Sequence, residues 1–463
     1  MSPPVLPPKV VININIVKKA GPVNHPQSDD WRRYPFALVP EDRQLDFPAA
    51  EANHRQCESD TWFLAGELTG KSGRGYAFLS IFNKNRPGLG DIVADFYTFA
   101  LFDLDAANYG TYTDYDMPPA NMEPGAVAKM TFADECLDIS FDSGAGRAVW
   151  RTCRDDNDDL VPYTYDVTLV GADAAGAQMR VDLHVTPTRA PVPLGAADFG
   201  GRIECFGQAD TYSYLQTGLT MTGTLTWGSS SEPVSGAAGH VDRQWFPLIA
   251  NSGGADGDVR WRAHEWRTIN LDNGVDMSIW RQFDRTDRNS LQPFSGATTS
   301  SPERDVDPEF ADDIEVTIES YVRWPEAVRT LYKPPAKARY LPDRHRLTSR
   351  KLDLDLTGEP MVPAPGHGLP LEYMEGPFHY RGTFRGEPVS GFAFYERSLA
   401  LYRDWELVDV LASTVGEERV TTLRTLVEDG RRDEAVAHLR NEILPSGAGI
   451  TELVDDLIVA LSS

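Results

Sequence analysis

The sequence predicts an all-β protein, with two β-barrel or sandwich domains in tandem and a short C-terminal α-helical extension. Three observations carry this reading. Short runs rich in Val, Ile, Thr, Tyr, Phe and Trp are punctuated by 33 prolines and 38 glycines, as expected of strands bounded by turns and not of α/β units. The pentapeptide Glu-Pro-Val-Ser-Gly occurs twice, at 232–236 and 387–391. From Leu407 onward the apolar spacing changes to three and four residues, which is helical.

Taken in order, residues 74–82, 95–104, 164–169, 179–185, 220–227 and 379–384 read as strands. Residues 266–283 alternate apolar positions on both sides of Asp272-Asn273-Gly274. Asn-Gly tolerates the positive φ of a tight turn, so this segment is a hairpin. The two pentapeptides share their surroundings. Gly223-Thr224-Leu225 and Gly382-Thr383-Phe384 precede them, and Asp242-Arg243 and Glu396-Arg397 follow, the first copy being one residue longer there. The openings also echo, Thr61-Trp62 against Glu265-Trp266. Each copy predicts strand, turn and a strand ending in an acid followed by Arg, so a tandem repeat is expected.

The resulting division is an N-terminal arm at 1–30, β-domains at 31–247 and 248–405, and a helical extension at 406–463. Gly430 and Pro445-Ser446-Gly447 divide that extension into two or three helices. It is expected to cap a barrel edge, with homodimerisation or partner docking as the alternative role.

Charge and cysteines narrow the function classes. Lys plus Arg number 44 against 69 Asp plus Glu, a net charge of −25. That balance repels nucleic acid and anionic lipid surfaces. No apolar run approaches the roughly 18 residues of a membrane helix, and the Pro-rich N-terminus lacks the basic and apolar blocks of a secretory signal. Cys57, Cys136, Cys153 and Cys205 are scattered and include no Cys-x-x-Cys pair. Reduced thiols in the cytoplasm are the expectation.

Several catalytic templates fail on context. Ala65-Gly66-Glu67-Leu68-Thr69-Gly70-Lys71-Ser72 matches a loose phosphate-loop pattern, but a strand follows it instead of the required helix. Asp155-Asp156-Asn157-Asp158-Asp159 starts like a calcium loop but lacks the Gly and Glu such a loop needs later. The nine histidines form neither H-E-x-x-H nor a tight cluster, and no Gly-x-Ser-x-Gly elbow is present. No metal or cofactor is expected.

Gly239-His240-Val241-Asp242-Arg243-Gln244-Trp245 is more informative. On a strand, Asp242 and Gln244 share a face, and that face is expected to be the barrel lumen if Asp242 is functional. With this segment, Glu58-SDTWFLAGEL, Gly75-YAFLSIF, Pro187-TRAPVPLG, Tyr212-SYLQTGLTMTGTL, Trp266-RTINLDNGVDMSIW and Leu371-EYMEGPFHYRGTFRGEPVSGFAFYE stand in order over about three quarters of the chain. The chain thereby resembles the carotenoid 1,2-hydratase and AttH-like family, tandem lipocalin-like proteins that include kievitone hydratase-like and decalin-forming Diels–Alderase relatives. It departs from the family at Phe246, where Gly often follows the Trp, and in its long helical C-terminus.

The resemblance implies a cofactor-free reaction of secondary metabolism on an apolar isoprenoid or polyene, by acid-assisted hydration or by cyclisation. A carboxylic acid in an apolar pocket keeps its proton near neutral pH and can donate it. Asp242 is the first candidate acid, followed by its repeat counterpart Glu396 and by Glu375. Gln244, Trp62, Trp245, Trp266 and Trp280 are candidate pocket residues, and Tyr380 and Tyr395 candidate hydroxyl donors. The plainer alternatives are an Asp242–Arg243 ion pair and aromatics that only pack the cores. A non-catalytic carrier of a hydrophobic ligand is the competing function. A buried carboxylate beside aromatics favours the enzyme, and an all-apolar lumen the carrier.

Overall fold

The computed structural model describes residues 30–39, 44–115, 127–194, 200–205, 208–248, 262–302, 308–331, 338–369, 372–446 and 449–462. The arm expected at 1–30 lies outside these residues except for its last position, and the boundary at 247/248 abuts another such stretch. The described chain forms a 15-stranded antiparallel sheet running from Ser59–Gly70 to Gly239–Phe246, and a 10-stranded one from Arg262–Leu271 to Glu387–Ser398. Each curls into a half-barrel around its own apolar cluster. The fold is tandem lipocalin-like, as the sequence predicts. The expected strands are found as Gly75–Asn85, Phe96–Asp103, Leu160–Ala172, Gln178–Pro187, Leu219–Trp227 and Tyr373–Phe384. The expected hairpin joins Arg262–Leu271 to Asp276–Asp284, with Gly274 at φ +83° in its turn.

The repeated pentapeptides occupy equivalent positions. Val234 lies opposite Gly223, and Val389 opposite Gly382. In both copies the glycine is required by close approach: a Cβ at Gly223 would meet the Asp182 carbonyl oxygen at 1.8 Å, and one at Gly382 would meet that of Asp355 at 2.0 Å. The extra residue of the first copy breaks its strand between Ser230–Gly236 and Gly239–Phe246, whereas Glu387–Ser398 runs unbroken. The echo between Thr61-Trp62 and Glu265-Trp266 is out of register by one residue. Trp62 pairs with Arg243, but Trp266 pairs with Glu396 rather than Arg397. A one-residue offset sends a side chain to the opposite face.

The phosphate-loop-like segment ends in the turn between Ser59–Gly70 and Gly75–Asn85. The acidic run is a turn in which Asp155 Oδ1 accepts the backbone N–H groups of Asn157 (2.8 Å) and Asp159 (3.1 Å).

Among its described residues the extension holds four α-helices, Asp404–Val415, Glu417–Glu428, Arg432–His438 and Thr451–Ser462, instead of two or three. The additional break is at Gly416, whose φ of +92° and ψ of +144° form a combination open to glycine. The helices pack on the second half-barrel around Tyr340 and Leu401. A fully buried Arg285–Glu406 ion pair joins them to it, and the Tyr340 hydroxyl donates to Asp456 (2.8 Å). Among the described residues no helix is long and apolar enough to cross a membrane.

Candidate active site

The two half-barrels meet back to back. Strand Gly239–Phe246 sends Val241, Arg243 and Trp245 into the first lumen and His240, Asp242, Gln244 and Phe246 outward. Strand Glu387–Ser398 likewise sends Ala393, Tyr395 and Arg397 inward and Phe392, Phe394 and Glu396 toward the first half-barrel. The seam holds two apolar clusters that draw on both sheets. One contains Phe63, Phe102, Phe392 and Phe394. The other contains Leu215, Phe246, Trp266 and Trp280. Asp242 is flanked across its strand by Phe63 of the first cluster and Leu215 of the second. Its face is thus the seam and not the lumen.

Three carboxylates converge there. Glu375 lies directly opposite Glu396 on the adjacent strand, and Asp242 reaches them from the other sheet closely enough for mutual electrostatic effects. Burial pushes Asp242 well above the usual carboxylate range, with a further push from Glu396. The Ser213 hydroxyl, donating to Oδ1 at 3.1 Å, pulls weakly the other way. Burial, then Glu396 and Asp242, push Glu375 well up as well. Its Oε2 is buried without a hydrogen-bond partner. Both shifts favour the protonated form, because charge is disfavoured away from water and again beside like charge.

Glu396 is held differently. Its Oε1 accepts from the Tyr373 hydroxyl and lies 2.5 Å from His264 Nε2. His264 Nδ1 faces Ser398 Oγ at 3.1 Å, and its ring stacks on Trp280 with centroids 4.8 Å apart. Trp280 in turn meets Trp266 edge-on at 5.1 Å. The Nε2 of Gln244 and the indole N–H of Trp280 are buried and unpartnered, so this seam carries unused donors beside unused acid.

Of the sequence candidates, the structure brings Asp242, Glu375, Glu396, Gln244, Trp266 and Trp280 to the seam. Four others lie elsewhere. Trp62 and Trp245 belong to the first core, where Trp62 donates to the Glu51 carbonyl at 2.9 Å and Trp245 stacks on His54 at 3.9 Å. Tyr380 and Tyr395 face the second lumen, against His345 and Glu265 respectively. The Asp242–Arg243 pair does not form. Adjacent strand residues point apart, and Arg243 is fully buried against Asp60 at 2.7 Å. His264 and Tyr373 were not singled out in the sequence. The available signal was parity, since each stands two residues before a seam residue, Trp266 and Glu375.

One group of potential metal ligands occurs among the described residues: Cys153, Asp166 and His184, whose donor atoms lie within 4.8 Å of one another. Cross-strand pairing assembles it, with Asp166 opposite His184, so sequence spacing hides it. His184 Nδ1 is 3.0 Å from Asp166 and 3.9 Å from Cys153 Sγ. Burial, then Asp166, push the thiol up to about 11, which disfavours the thiolate a metal needs. The group is on the outer face of the first sheet, apart from the seam.

The AttH-like family model matches residues 150–396. Among solved structures, an AttH from Nitrosomonas europaea aligns with a TM-score of 0.51 at 16% identity, covering 78% of this chain and 99% of that one. Kievitone hydratase from Nectria haematococca aligns with a TM-score of 0.51 at 13% identity, covering 76% and 92%. At such identities the likeness speaks for the fold. No curated protein matches the sequence. The family model spans more than half of the chain, including both Asp242 and Glu396, and the chain belongs to the AttH-like family.

Proposed function

We propose that the protein is a cofactor-independent enzyme that hydrates or cyclises an apolar isoprenoid or polyene at the seam between its half-barrels. The observation that carries this reading is Glu375, a buried carboxyl pushed toward its protonated form, whose Oε2 meets no protein partner and which is set among Asp242, Glu396 and the Trp266–Trp280 wall. In hydration, Glu375 or Asp242 gives its proton to one carbon of a double bond. The tryptophan faces stabilise the cation on the other, and water adds there. The proton released by that water returns through Glu396 and His264 to the acid, so the cycle closes without an oxidant or a metal. In cyclisation an internal double bond replaces water, and the seam's shape removes conformational freedom beforehand.

The reading draws support from kievitone hydratase, by name a hydratase, which has this architecture. A cytoplasmic setting is part of the proposal and agrees with four free cysteines. The test is mass spectrometry of polyene and isoprenoid substrates incubated in ¹⁸O-water with parent, E375Q and D242N proteins. Label in the product means hydration, and an unlabelled isomer means cyclisation. Binding without conversion by the parent would leave the carrier reading.

A further inference from the structure

The lumen of the second half-barrel contains a charge imbalance that the seam chemistry does not use. Glu265 sits there with Arg281 opposite it on one neighbouring strand and Arg397 opposite it on the other. Arg267 follows two residues along on the same face. Glu265 Oε2 accepts from Arg267 Nη2 at 3.0 Å and from Arg281 Nη1 at 3.5 Å. Its Oε1 accepts from Arg397 Nη1 at 3.3 Å and from the Tyr395 hydroxyl at 3.2 Å. Although burial opposes ionisation, the three arginines hold Glu265 well below the usual range. The remaining neighbours bring no charge: burial drives His345 toward its neutral form and keeps the phenols of Tyr380 and Tyr395 protonated.

Three guanidinium groups thus share one carboxylate, a net charge of 3 − 1 = +2. Arg267 is 0% and Arg397 3% exposed. Buried charges are ordinarily paired, and a buried guanidinium N–H without a partner is costly. Here Arg267 Nη1, Arg281 Nε and Arg397 Nε are all buried and unpartnered. Among the described residues no second carboxylate balances them; Glu406, on the first helix of the extension, is taken by Arg285. The planes of the arginines are set by aromatic rings. Arg281 and Arg397 stand 5.0 and 4.8 Å from Phe283, and Arg267 stands 4.3 Å from Tyr395. The Arg281 side chain keeps 15% exposure, which marks the way in from solvent.

We propose that the inner face of the second half-barrel is a binding site for a small oxyanion, a phosphate or carboxylate group held by Arg267, Arg281 and Arg397. Planar guanidinium forks match oxyanions in a bidentate manner and do so less well for a spherical halide. Glu265 then acts as the internal counter-charge that holds the arginines together while the site is empty. The site lies on the reverse face of the strands that carry His264, Trp266 and Glu396, and is separate from the seam.

The experiment is calorimetric and thermal titration of the full-length protein, in low-salt Hepes, with inorganic phosphate, acetate and chloride at matched ionic strength. A saturable heat and a rising Tm with phosphate or acetate, and a weaker response to chloride, are expected; whichever oxyanion wins identifies the group. R281Q should weaken binding at least tenfold, and E265Q, which removes the competing carboxylate, should tighten it. An E265Q protein that folds only in phosphate or acetate would support the site equally. A response that follows ionic strength alone, or one unchanged in R281Q, would overturn the proposal.

Discussion

Glu375 and Glu396 are cross-strand neighbours on adjacent antiparallel strands, and both face the seam between the half-barrels. Like charges directly opposite each other are destabilising, and Asp242 approaches from the other sheet. Burial and like charge push Asp242 and Glu375 toward their protonated forms, which eases the repulsion, while Tyr373 and His264 satisfy Glu396. Such a cluster costs stability, and in the proposed function that cost goes with a proton source, which can be measured.

Glu375→Gln should lower turnover by ~10²–10⁴, the usual contribution of a positioned general acid. It should also stabilise the fold at neutral and alkaline pH. The sign follows from linkage: the folded pKa lies above the unfolded one, so the folded state binds the extra proton and stability falls as pH rises from the ordinary carboxylate range toward the folded pKa. Gln has no proton to lose. Tm measured from pH 4 to 9 should decline less for the variant than for the parent, and parallel curves would contradict the assignment.

Asp242→Asn should change stability by less than ~1.5 kcal/mol, as a near-isosteric swap away from any ion pair. In the parent, activity should fall as pH rises through the raised pKa of these acids, which lies above the ordinary carboxylate range. Asp242→Asn should displace or abolish that limb. The check is kcat/KM against pH. An unchanged profile removes Asp242 from the chemistry.

Tyr373→Phe removes the hydroxyl that donates to Glu396. A side-chain hydrogen bond is worth roughly 0.5–1.5 kcal/mol, so turnover should fall by about 2- to 13-fold. KM should move little, because the ring remains. A change confined to KM would instead make Tyr373 a substrate contact.

Dialysis against a strong chelator should leave turnover intact, and so should Cys153→Ser with His184→Ala. That group is on the outer face of the first sheet, and its thiol is pushed up to about 11. Loss of activity restored by one divalent cation would refute the cofactor-free reading.

Gly223→Ala tests the repeat. A Cβ there would come within 1.8 Å of the Asp182 carbonyl oxygen, and backbone cannot yield as a side-chain tip can. Destabilisation of ~1–3 kcal/mol or more is expected, with a similar loss for Gly382→Ala in the second half-barrel. Chemical denaturation of the two variants would show it.

Much of this protein is legible in the sequence by itself. Strand positions follow from period-2 runs between turns, the 266–283 hairpin from Asn273-Gly274 and the repeat from 232–236 and 387–391, while Asp242, Glu375 and Glu396 stand in the sequence only as candidate acids. Tertiary structure decided which face those acids use. Gly239–Phe246 is buried at every position, so polarity does not alternate along it and nothing local distinguishes lumen from seam. The same ambiguity misplaced Trp62 and Trp245, which fill the first core, and Tyr380 and Tyr395, which line the second lumen. It also concealed His264 and Tyr373, whose role exists only once Glu387–Ser398 lies between its two neighbours. Parity along a strand is a local property, but which side of a curved sheet becomes concave, and which becomes an interface, depends on how distant strands close and pack.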